Sequence, residues 1–151
     1  MNLALTLANT PDDPTALGTW QRDGGAPDKV DPRKLVRLRS AVRESLETVA
    51  DGREVPQASV SLLNGSSEAG PTYARLEAGE LCYVTLASPG DAFLADVAAD
   101  AIELVGGPKR PRVRRCNAPG CGKIFVASRP RQTWCSGRCG VRARVARHRA
   151  A

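Results

Sequence analysis

The sequence is short of several things, and each shortage excludes something. Of 151 residues only six are Phe, Trp or Tyr. A packed core must therefore be built mainly from Leu, Val and Ala. The single histidine is His148, so no Cys–His nucleophile arrangement presents itself. No glycine-rich phosphate loop and no paired acid/base set is found either, so no catalytic residue is assigned and an enzyme is not expected. No run approaches about eighteen apolar residues, so no membrane span is expected. The first residues, Met1 to Ala8, carry no positive charge and too short an apolar stretch for a secretory signal. A cytoplasmic protein with reduced thiols is expected. There clustered cysteines suggest metal more than disulfides.

Acidic residues are missing from the last third. All 16 lie at or before Glu103, whereas 13 of the 22 Lys and Arg residues lie from Lys109 onward. The first 108 residues thus hold 9 cations and 16 anions, for −7, and the remainder carries +13. Four thiolates on one Zn²⁺ would lower the latter by two, to +11. Such a division points to a polyanionic partner.

What is present reads as α+β, with a boundary near Pro108 between a small N-terminal α/β domain (1–108) and a basic module (109–151). Leu3, Leu5 and Leu7 alternate with smaller residues, as in a short strand. A helical turn is expected over Thr15–Trp20, and a loop over Asp23–Pro27. Asp31 suits an N-cap, with Pro32 at the first helical position. Leu35, Leu38, Val42, Leu46 and Val49 then recur with helical period, and Gly52 is a stop. Arg33, Lys34, Arg37, Arg39 and Arg43 read as a solvated face of that helix. Strands are expected over Gln57–Leu63, Tyr73–Glu77 and Leu81–Ala87. Cys82 within the last is expected to be a small buried hydrophobe. Asp91 opens a second helix with Leu94, Val97, Ala98, Ala101, Ile102 and Val105 inward. Gly106-Gly107-Pro108 ends it.

The basic module holds Cys116-x4-Cys121-x13-Cys135-x3-Cys139. Two close pairs separated by a short insert match the ligands of a tetrahedral four-cysteine Zn²⁺ site. Without His or carboxylate ligands it would be a closed, structural site. Two disulfides or an iron centre are the alternatives. Gly122 could let backbone N–H groups turn towards sulfur. Lys123–Ala127 reads as a strand with Phe125 under the metal, and Trp134 as its cover. Ser136 caps a final helix that carries Cys139 on its first turn. A hairpin with one pair and a helix with the other is treble-clef-like. On that helix Arg138, Arg142 and Arg149 fall within about 40° of each other. Val141, Val145 and His148 form a neighbouring stripe expected to pack on the hairpin.

Around Arg114-Arg115-Cys116, Phe125, Trp134-Cys135-Ser136 and Cys139-Gly140-Val141-Arg142, the sequence resembles the CGNR zinc-finger family. These are bacterial proteins regarded as stress-related transcription regulators, in which a zinc finger follows an N-terminal ABATE domain. Leu7-Ala8-Asn9-Thr10, Trp20 and the two helices also sit where that family would put them. Two departures stand out. Val141 replaces the family's Asn, and the last cysteine pair is one residue closer, which could turn Cys139 by about 100° around the helix. The N-terminal region is also short for the family.

A DNA-binding regulator, nucleoid-associated, is therefore expected. Arg129, Arg131, Arg138, Arg142, Arg144, Arg147 and Arg149 would contact phosphates of double-stranded DNA. The N-terminal domain would sense a small-molecule effector or form a homodimer. RNA binding and a protein-interaction module are the rival readings.

Overall fold

The protein is described by a computed structural model over residues 2–149. Its centre is the longest helix, α3 (Pro32–Ala50). Asp31 caps it as expected, accepting from the Arg33 and Lys34 amides. Around α3 pack α1 (Leu3–Ala8), α4 (Gln57–Glu68) and α5 (Pro89–Gly106). The core runs through Leu7, Leu38, Val42, Leu46 and Val97, all nearly inaccessible. Helix α2 (Pro14–Asp23) brings Trp20 against Phe93, with ring centroids 5.8 Å apart. The Trp20 indole N–H donates to Thr6 Oγ1 at 2.9 Å.

Two expected strands are helices. Leu3–Ala8 forms α1 because Ala4, Leu7 and Ala8, spaced for one helical face, are the buried ones. Leu and Ala are strong helix formers, and Ala fits either face, so the Leu/Ala alternation is not a strand signal. Asn2 caps the helix through the Leu5 amide at 2.8 Å. Gln57–Leu63 belongs to α4, which continues through Asn64 and Gly65. Its buried face carries Ser59 and Leu63, one turn apart. Ser59 is satisfied by Glu44 of α3, so a polar residue sits where an apolar one marks the face.

The two strands expected over Tyr73–Glu77 and Leu81–Ala87 are present as β1 (Thr72–Glu77) and β2 (Glu80–Thr85), and they pair as a hairpin around Ala78-Gly79, both at positive φ. Cys82, expected to be buried, is half-exposed there. Arg39, expected on a solvated face, is only 4% exposed. Its guanidinium reaches Asp12 at 2.8 Å and the Thr10 carbonyl at 2.6 Å.

After α5 a short 3-10 turn (Arg110–Arg112) leads into β3 (Val113–Arg115), which pairs with β4 (Ile124–Val126); α6 (Gly137–Arg149) ends the described chain. The packing does not stop at Pro108. Val113 and Ile124 are buried in the same core as Leu38 and Val42.

Candidate metal centre

Each cysteine is positioned by its local sequence. Cys116 follows β3, its N–H donating to the Lys123 carbonyl at 2.8 Å. The loop to Cys121 closes with Cys121 N–H on the Ala118 carbonyl, and Gly120 and Gly122 take positive φ there. This left-handed backbone suits glycine. Cys139 lies on the first turn of α6, and its N–H donates to Ser136 Oγ at 3.2 Å. Arg142 Nη1 donates to the Pro119 carbonyl at 3.1 Å, tying the helix to the first knuckle.

The four Sγ atoms lie within 4.8 Å of one another. Cys121–Cys135 and Cys135–Cys139 are separated by 3.7 and 3.6 Å. A tetrahedron with Zn–S bonds of about 2.3 Å has sulfurs about 3.8 Å apart, so the donor set fits one Zn²⁺. No disulfide joins these cysteines. The short Cys135–Cys139 spacing therefore does not carry Cys139 away from the cluster. Cys116 and Cys139 are buried and the other two half-buried, with Phe125 and Trp134 packed against them. The donor to sulfur is the Cys135 N–H, 3.3 Å from Cys116 Sγ, where the sequence suggested the amides about Gly122.

The thiols disturb one another. Burial, then hydrogen bonding to the neighbouring thiols, pushes Cys135 up to about 12. Hydrogen bonding from Ser136 leads the effects that pull Cys139 down to about 7. Sulfurs this close do not all ionise together without a cation between them. A divalent ion removes that conflict. The four cysteines can thus hold one zinc ion, with all four positions filled by protein, as in a structural site.

The expected nucleic-acid contacts are all exposed: Arg129 and Arg131 in the loop after β4, and Arg138, Arg142, Arg144, Arg147 and Arg149 on α6. Among the described residues none of the seven has an ion-pair partner. The α6 stripe is corrected. Val141 and Val145 are 51% and 45% exposed, and His148 is exposed too. The inward face is Cys139, Gly140 and Ala143, because the helix must turn Cys139 to the metal. At about 100° per residue, the outward face then presents Val141 and Val145, with Arg138, Arg142 and Arg149 on one flank and Arg144 on the other. Arg147 falls towards Trp134, sharing a shallow groove with it and Asn117.

Two residues that join finger to body were not foreseen in these roles. Asn9 exchanges hydrogen bonds with the Ile124 backbone. Arg115 donates to both oxygens of Asp51, at 3.3 and 3.2 Å, and holds that carboxyl below its ordinary range. The only sequence signal for either is its place in a family motif.

A metal-stabilised finger docked on a helical body is the class that this fold and cluster define. Residues 1–108 match the ABATE family, described as "Putative stress-induced transcription regulator". Residues 112–151 match the CGNR zinc finger. The chain belongs to the ABATE family and carries a CGNR zinc finger after that domain. No curated protein matches the chain. Among the described residues no helix is long and apolar enough to cross a membrane.

Proposed function

We propose that this chain is a non-enzymatic DNA-binding regulator of the bacterial cytoplasm, with a treble-clef finger that holds α6 and the Arg129–Arg131 loop against duplex phosphates. The observation that carries the reading is the contrast between its arginines. Arg39, Arg43 and Arg115 are paired with carboxylates of the helical body. The seven arginines of α6 and of the loop after β4 have no carboxylate partner among the described residues and lie in an acid-free segment. Structural zinc fixes their positions, and the phosphate backbone is the polyanion that matches them. Single-stranded RNA is less well suited. Phe125 is buried and Trp134 is half-buried against Gly140, so the finger offers single-stranded bases little aromatic surface on which to stack.

An effector would have a place between α3, α4 and α5. A cleft of about 230 Å³ there is lined by Lys34, Arg37, Leu62, Asp91 and Leu94.

The test is a titration of zinc-loaded protein with duplex DNA at two salt concentrations. Log affinity should fall with log salt by about 0.9 per phosphate neutralised. Arg138→Ala, Arg144→Ala and Arg149→Ala should each reduce that slope by about 0.9 if the side chain meets a phosphate. Absent or salt-independent binding refutes the reading.

A further inference from the structure

Gly65 lies inside α4, where glycine is destabilising relative to alanine. At Gly70 and Gly90 a Cβ would strike the Ala95 side chain and the Lys29 carbonyl, so packing accounts for those two glycines. At Gly65 a Cβ would meet nothing within 4 Å. No protein atom uses the room that Gly65 leaves. That room belongs to the cleft between α3, α4 and α5, which Gly65 lines.

The lining of the cleft selects its occupant. Its apolar part is Leu94, buried, and Leu62, half-buried. Its charged groups are Lys34, Arg37 and Asp91. Asp91 is engaged, since it accepts from Lys34 at 2.7 Å and from Ser88 at 3.0 Å. Arg37 has no ion-pair partner among the described residues. That is out of keeping with its surroundings. The first 108 residues hold 16 anions to 9 cations, and Lys34, Arg39 and Arg43 of the same helix are all paired with carboxylates. One free guanidinium beside an apolar wall calls for a single negative charge on an apolar body, and its planar fork matches a carboxylate. A nucleotide carries more charge than this one cation balances. The volume, about 230 Å³, falls below the range of about 300–1,000 Å³ that takes drug-sized ligands.

We propose that this cleft binds a small monocarboxylate with an apolar body the size of a single ring. Arg37 takes the carboxylate, Leu62 and Leu94 pack on the apolar body, and Gly65 supplies the room. That such a ligand is the effector rests on the regulator reading. That it binds does not, so binding is tested without DNA.

The experiment is an NMR titration of the zinc-loaded full chain with benzoate, following the Gly65 amide and the Leu94 methyl groups. Both signals should move saturably. Benzamide keeps the ring without the charge, and acetate keeps the charge without the ring. Each should bind about tenfold more weakly or worse. Arg37→Gln should weaken benzoate about tenfold and leave benzamide unchanged. Gly65→Leu should abolish binding while raising the melting point, because leucine favours the helix and its side chain fills the cleft. Loss of binding in that variant is then not loss of fold. Three results overturn the proposal. One is benzoate that leaves both signals unmoved. Another is benzoate that binds Gly65→Leu as tightly as wild type. The third is benzamide or acetate that matches benzoate, which would make the cleft an unselective apolar pocket or a plain ion site. Benzoate that binds without altering DNA affinity upholds the site and removes only its role as an effector site.

Discussion

Asn9 and Ile124 face each other as neighbouring strand residues would. The Asn9 amide N–H donates to the Ile124 carbonyl at 2.7 Å, and the Ile124 N–H donates to Asn9 Oδ1 at 2.9 Å. A single side chain thus satisfies both backbone groups of an edge strand. It does so from the C-cap of α1, where its amide also reaches the Leu5 carbonyl at 2.9 Å. The finger is therefore built onto the body, not strung after it.

Asn9→Ala should lower stability by about 2 kcal/mol, since it strands a part-buried N–H and C=O. For a chain of this size that is a fall in Tm of about 4–8 °C. Thermal unfolding of zinc-loaded protein measures it, with metal content as the control. A fall in metal content with no change in Tm would contradict the coupling role.

Zinc removal should reach beyond the finger. Cys116 is continuous with β3, and Val113 and Ile124 sit in the main core. Chelation should therefore lower the melting point of the whole chain in a single transition, by about 10 °C or more, given the several kcal/mol that structural zinc contributes. Hydrogen exchange gives the sharper readout. Amides of α1 and α3 should exchange faster in chelator, and protection there that is indifferent to metal counts against a shared core.

Much of this is legible in the sequence, and the failures have physical causes. Helix α3 can be read because its cap, its first-turn Pro and its apolar period all agree. The metal cluster can be read because spacing alone limits what four cysteines can reach. Helices α1 and α4 are misread because Ala and Ser mark no face. The α6 stripe is misread because a metal ligand, and not hydrophobicity, decides which side of that helix turns inward. Arg39 and Asn9 stay hidden because their partners, Asp12 and Ile124, are set by tertiary packing. The division of charge is visible throughout, since it needs no geometry.

Two glycines should respond to alanine with opposite signs. A Cβ on Gly90 would run into the Lys29 carbonyl, a backbone atom that cannot swing aside. Gly90→Ala should destabilise by about 1–2 kcal/mol net of the helix-propensity gain. Gly65, inside α4, has nothing within 4 Å of its would-be Cβ. Gly65→Ala should stabilise by about 0.5–1 kcal/mol. Denaturant titrations of the two variants check both signs, and equal effects would mean that the contact of α5 with the 29–30 segment is not made in solution.

The last prediction concerns Val141 and Val145, one turn apart on the outward face of α6 and flanked by arginines. If α6 enters the major groove, arginines on its flanks meet phosphates while these valines meet base edges, where the thymine methyl is the apolar partner. Val141→Ser and Val145→Ser should then act on sequence preference and not on electrostatics. Each loses an apolar contact of about 1 kcal/mol, roughly a fivefold loss at the preferred site. The salt slope should stay unchanged, and so should folding stability, since both side chains are about half exposed. Val141→Asn, which restores the residue of the family motif, should move the preferred base at one position. Selection from a random duplex pool with wild type and variant reads this directly. Identical selected sites for the two proteins would show that the valines do not face the bases.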